Sequence, residues 1–308
     1  MEYVHYSVLQ KPVLELLTPL EEKSSMLDCT LGEGGHSLLF LQKYPNLNIT
    51  GLDRDSEIIK KAQTRLEGFG ERFKAKNIWF NDYFETCPEN TYDIILFDLG
   101  ISIFHYVEAN RGFSFQKDEK LDMRLDENST FTAWDIVNKY KQEDLANVIY
   151  KYGEERYSRQ IATAIIENRP LNTTKELENV IFHCVPYGYK HGHIHPATRT
   201  FQALRIEVNH ELDRIEPALE GAIKCLKIGG KLGVITFHSL EDRQVKWLFK
   251  AHKEGENADL IWLNKKPIIA DEEECKINPP SRSAKLRVVE KVEKGKYSGK
   301  KSYKKKDF

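Results

Sequence analysis

Cysteine is scarce and scattered: the 308 residues hold five, at Cys29, Cys87, Cys184, Cys225 and Cys275, and no two form a Cys-x-x-Cys pair. An odd, dispersed set argues against a disulfide framework and against a zinc ribbon, and it points to a reducing compartment. Long apolar runs are missing too. No stretch approaches the roughly 20 apolar residues that cross a bilayer, and the first residues lack a basic segment followed by an apolar one. A cytoplasmic protein is expected. A large charge imbalance is also lacking, with 46 Lys and Arg against 47 Asp and Glu, for a net charge of −1. That balance hides an asymmetry. Lys294–Phe308 carries seven lysines and one aspartate, so residues 1–293 hold a net −7. A Lys/Gly/Ser/Tyr tail cannot bury a core and is expected to be disordered, either as a solubilising segment or as a phosphate-attracting one with tyrosines able to stack.

A hydrophobic content of 40% in a chain of this length supports two domains, or one large domain with an insert. The most informative stretch is Met26–Ser37, MLDCTLGEGGHS. A short buried strand runs into a turn dense in glycine, and His36–Tyr44 then has the spacing of an amphipathic helix. Strand, glycine turn and helix bring a nucleotide against the exposed N–H groups of a helix start. The next apolar run, Leu47–Leu52, ends in Asp53-Arg54-Asp55, where a carboxylate can take ribose hydroxyls. A dinucleotide fingerprint wants G-x-G-x-x-G, and here Ser37 stands where the third glycine belongs. The S-adenosylmethionine (SAM) pattern Asp/Glu-x-Gly-x-Gly-x-Gly fits Asp28-x-Thr30-x-Gly32-x-Gly34 with one substitution. A tight turn binding nothing is the plain alternative, and Asp53 weighs against it. The turn reads as a SAM site.

Periodicity gives the rest. Val8–Leu20 has helical spacing, Ile58–Leu66 a helix, and Asn77–Phe80 a short strand. Tyr92–Phe97 is an almost unbroken apolar run, as in a central parallel strand covered on both faces, and it ends in Asp98-Leu99-Gly100. Ligands of open α/β sheets sit at such strand ends, although an N-cap role for Asp98 is the alternative. Ile101–Phe131 has no period and reads as a long loop, whereas Ala133–Cys184 is helical throughout. A long helix follows His195, with Pro217 expected to kink or restart it. Lys231–Phe237 resumes the sheet, and a last strand is expected over Lys285–Val292. His191, His193 and His195 look like ligands, but they lie in a Gly/Pro loop without a fourth donor, and no metal site is expected. The fold expected is α/β, a Rossmann-like SAM-binding domain in two pieces, 1–105 and 207–293. Residues 106–206 form a loop plus helical insert, and 294–308 the basic tail.

Eight blocks make the pattern specific: DCTLGEGGHS (28–37), GLDRD (51–55), DLGIS (98–102), RGFSF (111–115), LDMRLD (121–126), YGEERYSRQIA (152–162), HPATRTFQALRI (195–206) and FHSLEDR (237–243). In this order they resemble the bacterial small-subunit (16S) ribosomal RNA (cytosine-N4)-methyltransferases, the RsmH or MraW family. The resemblance implies a class I SAM-dependent methyltransferase with an inserted helical subdomain, acting on the N4 amine of one cytidine in the decoding centre of the small ribosomal subunit. By motif it implies SAM contacts at Gly34, Gly35, His36, Asp53, Phe84 and Asp98. One position departs: Ser102-Ile103-Phe104-His105 stands where the family usually reads Ser-Ser-x-Gln, so His105 takes the glutamine's place as a cofactor contact.

Cytosine N4 is a poor nucleophile because its lone pair is delocalised into the ring, so positioning should supply most of the rate. An acceptor must take hydrogen bonds from the amine, and Asp98 is assigned that role. The target base must leave its stack to reach the site. Arg111, Arg124, Arg199, Arg205 and Arg243 are candidates for RNA contacts, each weighed against a surface or structural salt bridge. The partner is small-subunit ribosomal RNA, with no membrane, and a homodimer is left open. A methyltransferase for another RNA, or an RNA-binding module without catalysis, is the competing reading.

Overall fold

The computed structural model describes residues 7–254 and 258–295, which separate into two compact units, the described residues of 7–100 with 215–295, and residues 101–214. The basic tail from Lys296 onward lies outside the described residues.

The first unit is built on one sheet. Its strands are β1 (Ser25–Asp28), β2 (Asn48–Asp53), β3 (Phe73–Asn77), β4 (Tyr92–Asp98), β5 (Leu226–Thr236), β6 (Leu260–Trp262), β7 (Ile268–Ile269) and β8 (Lys285–Lys291). Their order is β3-β2-β1-β4-β5-β8-β6, with β7 also paired to β8. From β3 to β5 all pairs are parallel, and β8 runs antiparallel to β5, β6 and β7. Successive strands step outward from β1 to β3 on one side, and the chain then crosses to β4 on the other. The crevice of a doubly wound sheet opens at that switch, at the carboxyl ends of the strands. Asp28, Asp53 and Asp98 are the last residues of β1, β2 and β4. The core beneath joins Val13 and Leu17 to Met26, Phe40, Ile49, Ile94, Ile235 and Leu286.

Helix starts follow local chemistry. Asp55 caps Ser56–Leu66 by accepting from the N–H groups of Glu57 and Ile58. His238 and Glu241 form a reciprocal box at the start of Ser239–Lys253, and the Asp242 carboxylate pairs with both sides of the buried Arg287 guanidinium at 2.7 and 3.0 Å. Much of the FHSLEDR block thus fixes how β5 leads into its helix.

The second unit is helical: Ile103–Val107, Ala133–Lys139, Gln142–Gly153, Ser158–Glu167, Thr174–Cys184, Tyr187–Lys190 and Ala197–Asn209. Ile136, Leu145, Ile149, Ile161, Ile165, Leu177, Phe201 and Leu204 form its core, so the stripes read at helical spacing face inward. The segment before Ala133 is irregular apart from its first short helix, yet it is tied down. Buried Asn209 donates to the Met123 carbonyl at 2.8 Å and accepts from the Leu125 N–H at 2.8 Å.

Three expectations are corrected. The third strand is Phe73–Asn77, not Asn77–Phe80. It is the sheet's edge, where exposed lysines alternate with half-buried Phe73 and Ala75, and no apolar run announces it. The apolar triplet after it leads into the short helix Phe80–Phe84. The lead-in helix is shorter than its apolar spacing suggested, Gln10–Leu16. The long helix after His195 is two helices, and the break is not made by Pro217. The first ends where His210 turns left-handed (φ 50°), and Pro217 is the third residue of Ile215–Cys225, where its missing N–H has no intrahelical partner to lose.

Candidate cofactor and methyl-transfer site

The glycine turn sits at the end of β1. Gly32 and Gly34 have φ of 51° and 77°, a left-handed conformation that side chains resist. Gly34 is the residue before the helix Gly35–Lys43 and offers no side-chain cap. The first N–H groups of that helix therefore have no partner within it and face the strand ends. A Cβ at Gly35 would lie 2.1 Å from Ser7 Oγ, so a larger residue there would have to displace that hydroxyl.

The carboxylates divide their work. Asp53 accepts the Gly32 N–H at 2.9 Å on one oxygen and the Asp55 N–H at 2.9 Å on the other, so it braces the turn as well as facing the crevice. Each carboxylate oxygen can accept more than one hydrogen bond, which leaves capacity for ribose hydroxyls. Asp28 is fully buried under the turn and takes the Ser37 hydroxyl at 2.7 Å. Burial pushes its carboxyl up to about 6, against the lowering effect of the Ser37 hydrogen bond and of His36.

Asp98 closes β4. Its N–H donates to Thr30 Oγ1 at 2.6 Å, and its Oδ2 lies 3.5 Å from His36 Nε2. Asp98 Oδ1 and both ring nitrogens of His36 are buried with no hydrogen-bond partner among the described residues. Such atoms are costly to leave unmade, by about 1–3 kcal/mol each, and they collect where a ligand completes them. The row of helix N–H groups and the Asp53 carboxylate fit a polar nucleoside carrying an amino-acid tail, which is the outline of SAM, and Asp98 with the His36 ring stands beside them. Gly100 keeps the chain beyond Asp98 close to Phe237, whose ring a Cβ would meet at 2.5 Å.

The remaining residues singled out from sequence fall in different places. Phe84 is 9% exposed, packed on Phe97 of β4 and on Gly221, where a Cβ would come within 2.4 Å of it. Phe80, one turn earlier, is partly exposed and meets Phe97 edge-on at 5.5 Å. His105 belongs to the second unit and is buried beside Phe113, with ring centroids 5.3 Å apart. Arg111 is buried and reaches the Arg124 carbonyl and Glu127. Arg124 grips Asp122 with two bonds of 2.7 Å and also holds the Glu127 and Ser129 carbonyls. Arg205 grips Glu211 at 2.8 and 2.9 Å and reaches the Tyr106 hydroxyl. Arg199 is half-buried with one bond to the Glu154 carbonyl, and Arg243 is exposed. His195 pairs with Glu178 at 3.2 Å and stacks between Phe115 and Phe182. Sequence reading gave no role to Thr30, whose one signal was a hydroxyl where the SAM pattern has glycine, nor to Phe80, hidden by the misplaced third strand.

The ribosomal RNA small subunit methyltransferase H of Treponema denticola is 49% identical over 311 aligned positions, covering 95% of this chain and 99% of its own. Proteins of the same name from a Picosynechococcus and a Sulfurihydrogenibium strain are each 47% identical over 94% of the chain. An rRNA methylase structure from Streptococcus thermophilus aligns over 93% of this chain at 10% identity with a TM-score of 0.44, too distant to add to the assignment. A sequence model of the MraW methylase family matches residues 2–292, and the chain belongs to that family.

Proposed function

We propose that this protein transfers a methyl group from SAM to the exocyclic N4 amine of a cytidine in small-subunit ribosomal RNA, with Asp98 Oδ1 as the acceptor for the amine. The observation that carries the assignment is that buried, unpaired oxygen at the end of β4, beside the glycine turn. When bound, the cofactor supplies a methyl group activated by its positive sulfonium.

The chain's own residues do the rest. The N–H groups at Gly35 and His36, behind Gly34, receive the cofactor's anionic and polar end. Asp53 receives its ribose. Phe80 supplies the exposed aromatic contact, with Phe84 as the buried ring behind it. Asp98 takes a hydrogen bond from the amine, which localises the nitrogen lone pair and aligns it for attack. General-base assistance of this kind contributes about 10²–10⁴ in rate. For RNA, Arg199 and Arg243 are the accessible cations among the five candidates. Arg111, Arg124 and Arg205 hold the shape of the second unit, as the surface on which RNA is recognised.

The test gives purified protein SAM and undermethylated small ribosomal subunits and reads digested RNA by mass spectrometry. One N4-methylated cytidine is expected. Asp98→Ala should lose about 10²-fold or more in rate, and Asp98→Asn, which keeps a carbonyl acceptor, should retain more. A methyl group on cytosine C5 or on a ribose 2′-oxygen would refute the amine assignment.

A further inference from the structure

The glycine turn faces two ways. Its backbone forms the start of a helix, while Thr30 hydrogen-bonds across to β4 and the His36 ring lies beside the Asp98 carboxylate. Thr30 Oγ1 accepts the Asp98 N–H at 2.6 Å, which fixes the main chain where β4 ends. His36, 6% exposed, places Nε2 3.5 Å from Asp98 Oδ2, and the opposite oxygen, Oδ1, is left without a partner. His36 is itself fixed from below, because the next residue, Ser37, is hydrogen-bonded to buried Asp28 at 2.7 Å.

The geometry points to Thr30 and His36 as the positioning residues of the amine acceptor. Resting on the methyl-transfer reading above, this assigns the orientation of Asp98 to the cofactor turn itself. A neutral imidazole has one N–H to give, and among the described residues no other group takes it. At 3.5 Å the contact is longer than a good hydrogen bond, and such contacts tighten when ligand fills the site. A tightened Nε2–H···Oδ2 hydrogen bond would fix the carboxylate and leave Oδ1 for the base. The step then balances. The N4–carbon bond forms as the carbon–sulfur bond breaks, and the electrons of that bond leave with sulfur. One N4–H bond breaks with its electrons kept by nitrogen, and the proton goes to Asp98 Oδ1 and on to water as product leaves. Among the described residues, the charged groups facing His36 are Asp98 from β4 and Asp28 from β1. Arg65, from the helix Ser56–Leu66, lies over the helix start with its guanidinium on the Glu33 carbonyl. A turn that binds the cofactor and also aims the acceptor ties the two halves of the reaction to one rigid element, and misplacement by about 1 Å can cost 10²-fold.

The experiment measures single-turnover methylation of undermethylated small subunits between about pH 5.5 and 9, with SAM affinity measured by calorimetry. It compares the wild type with Thr30→Ser, Thr30→Val, His36→Gln and His36→Leu. His36→Leu should lose about 100-fold in rate with SAM affinity within a few-fold. His36→Gln, which keeps an N–H, should recover much of the loss. Thr30→Ser should resemble the wild type and Thr30→Val should fall by about tenfold or more. Parallel loss of rate and SAM affinity would overturn the assignment, as would wild-type rates and profiles in Thr30→Val and His36→Leu. If His36→Leu does not fold, His36→Gln against Thr30→Val decides by the same criteria. A wild type that methylates a different atom overturns the N4 reading and this inference together. A wild type that makes N4-methylcytidine alongside indifferent variants overturns this inference alone.

Discussion

Asp28→Asn should make the protein gain stability relative to the wild type as pH rises. Asp28 is 1% exposed beneath the glycine turn, and its hydrogen bonds from Ser37 Oγ and the Thr30 N–H only partly offset lost hydration. Burial raises the carboxyl from 3.8 to about 6. The folded state therefore holds the proton more tightly than the unfolded chain. The stabilisation from the neutral acid is present in full below pH 4 and is lost as pH rises through about 6. At about 1.4 kcal/mol per pH unit, the ionised carboxylate costs about 3 kcal/mol once that window is passed, and about half of this accrues between pH 5 and 8. Asparagine has the same shape and keeps a carbonyl for Ser37, but it never ionises. Urea unfolding followed by circular dichroism at several pH values should show Asp28→Asn gaining about 1.5 kcal/mol on the wild type from pH 5 to pH 8. Parallel curves, or a variant that loses ground as pH rises, would refute the claim that Asp28 is ionised at a cost.

Asp53→Ala removes the acceptor of the Gly32 and Asp55 N–H groups, so calorimetry should show SAM binding weakened by about 1–3 kcal/mol. Arg199→Ala and Arg205→Ala should separate by assay. Arg205→Ala strips a two-bond partner from Glu211 and should lower stability by about 1–3 kcal/mol in thermal melts, whereas Arg199→Ala should leave the melt within about 0.5 kcal/mol and depress ribosomal RNA methylation.

Much of the site is legible in residue order because its chemistry is local. Asp28-Cys29-Thr30-Leu31-Gly32 has to turn where it does, since only glycine takes the left-handed backbone cheaply, and the apolar run ending at Asp98 has to be a covered strand. The eight blocks identify the family, and helical stripes such as Leu145 and Ile149 face the core that their spacing implies. Local pattern failed where burial was partial or the signal had two meanings. β3 is an edge strand of alternating lysines, and Pro217 is a helix breaker that, in a first turn, breaks nothing.

Tertiary structure decided which polar groups meet. Arg205 and Glu211 are six residues apart across a helix end, and nothing in their order says that one guanidinium spans both carboxylate oxygens. Thr30 and Asp98 are 68 residues apart and become hydrogen-bonded neighbours because β4 pairs with β1, a consequence of strand order that no single segment encodes. Sequence therefore determined which residues could carry methyl transfer. The pairing of β1 with β4 decided which of them stand together, because the chain returns to the middle of its sheet only when all the apolar faces are buried at once.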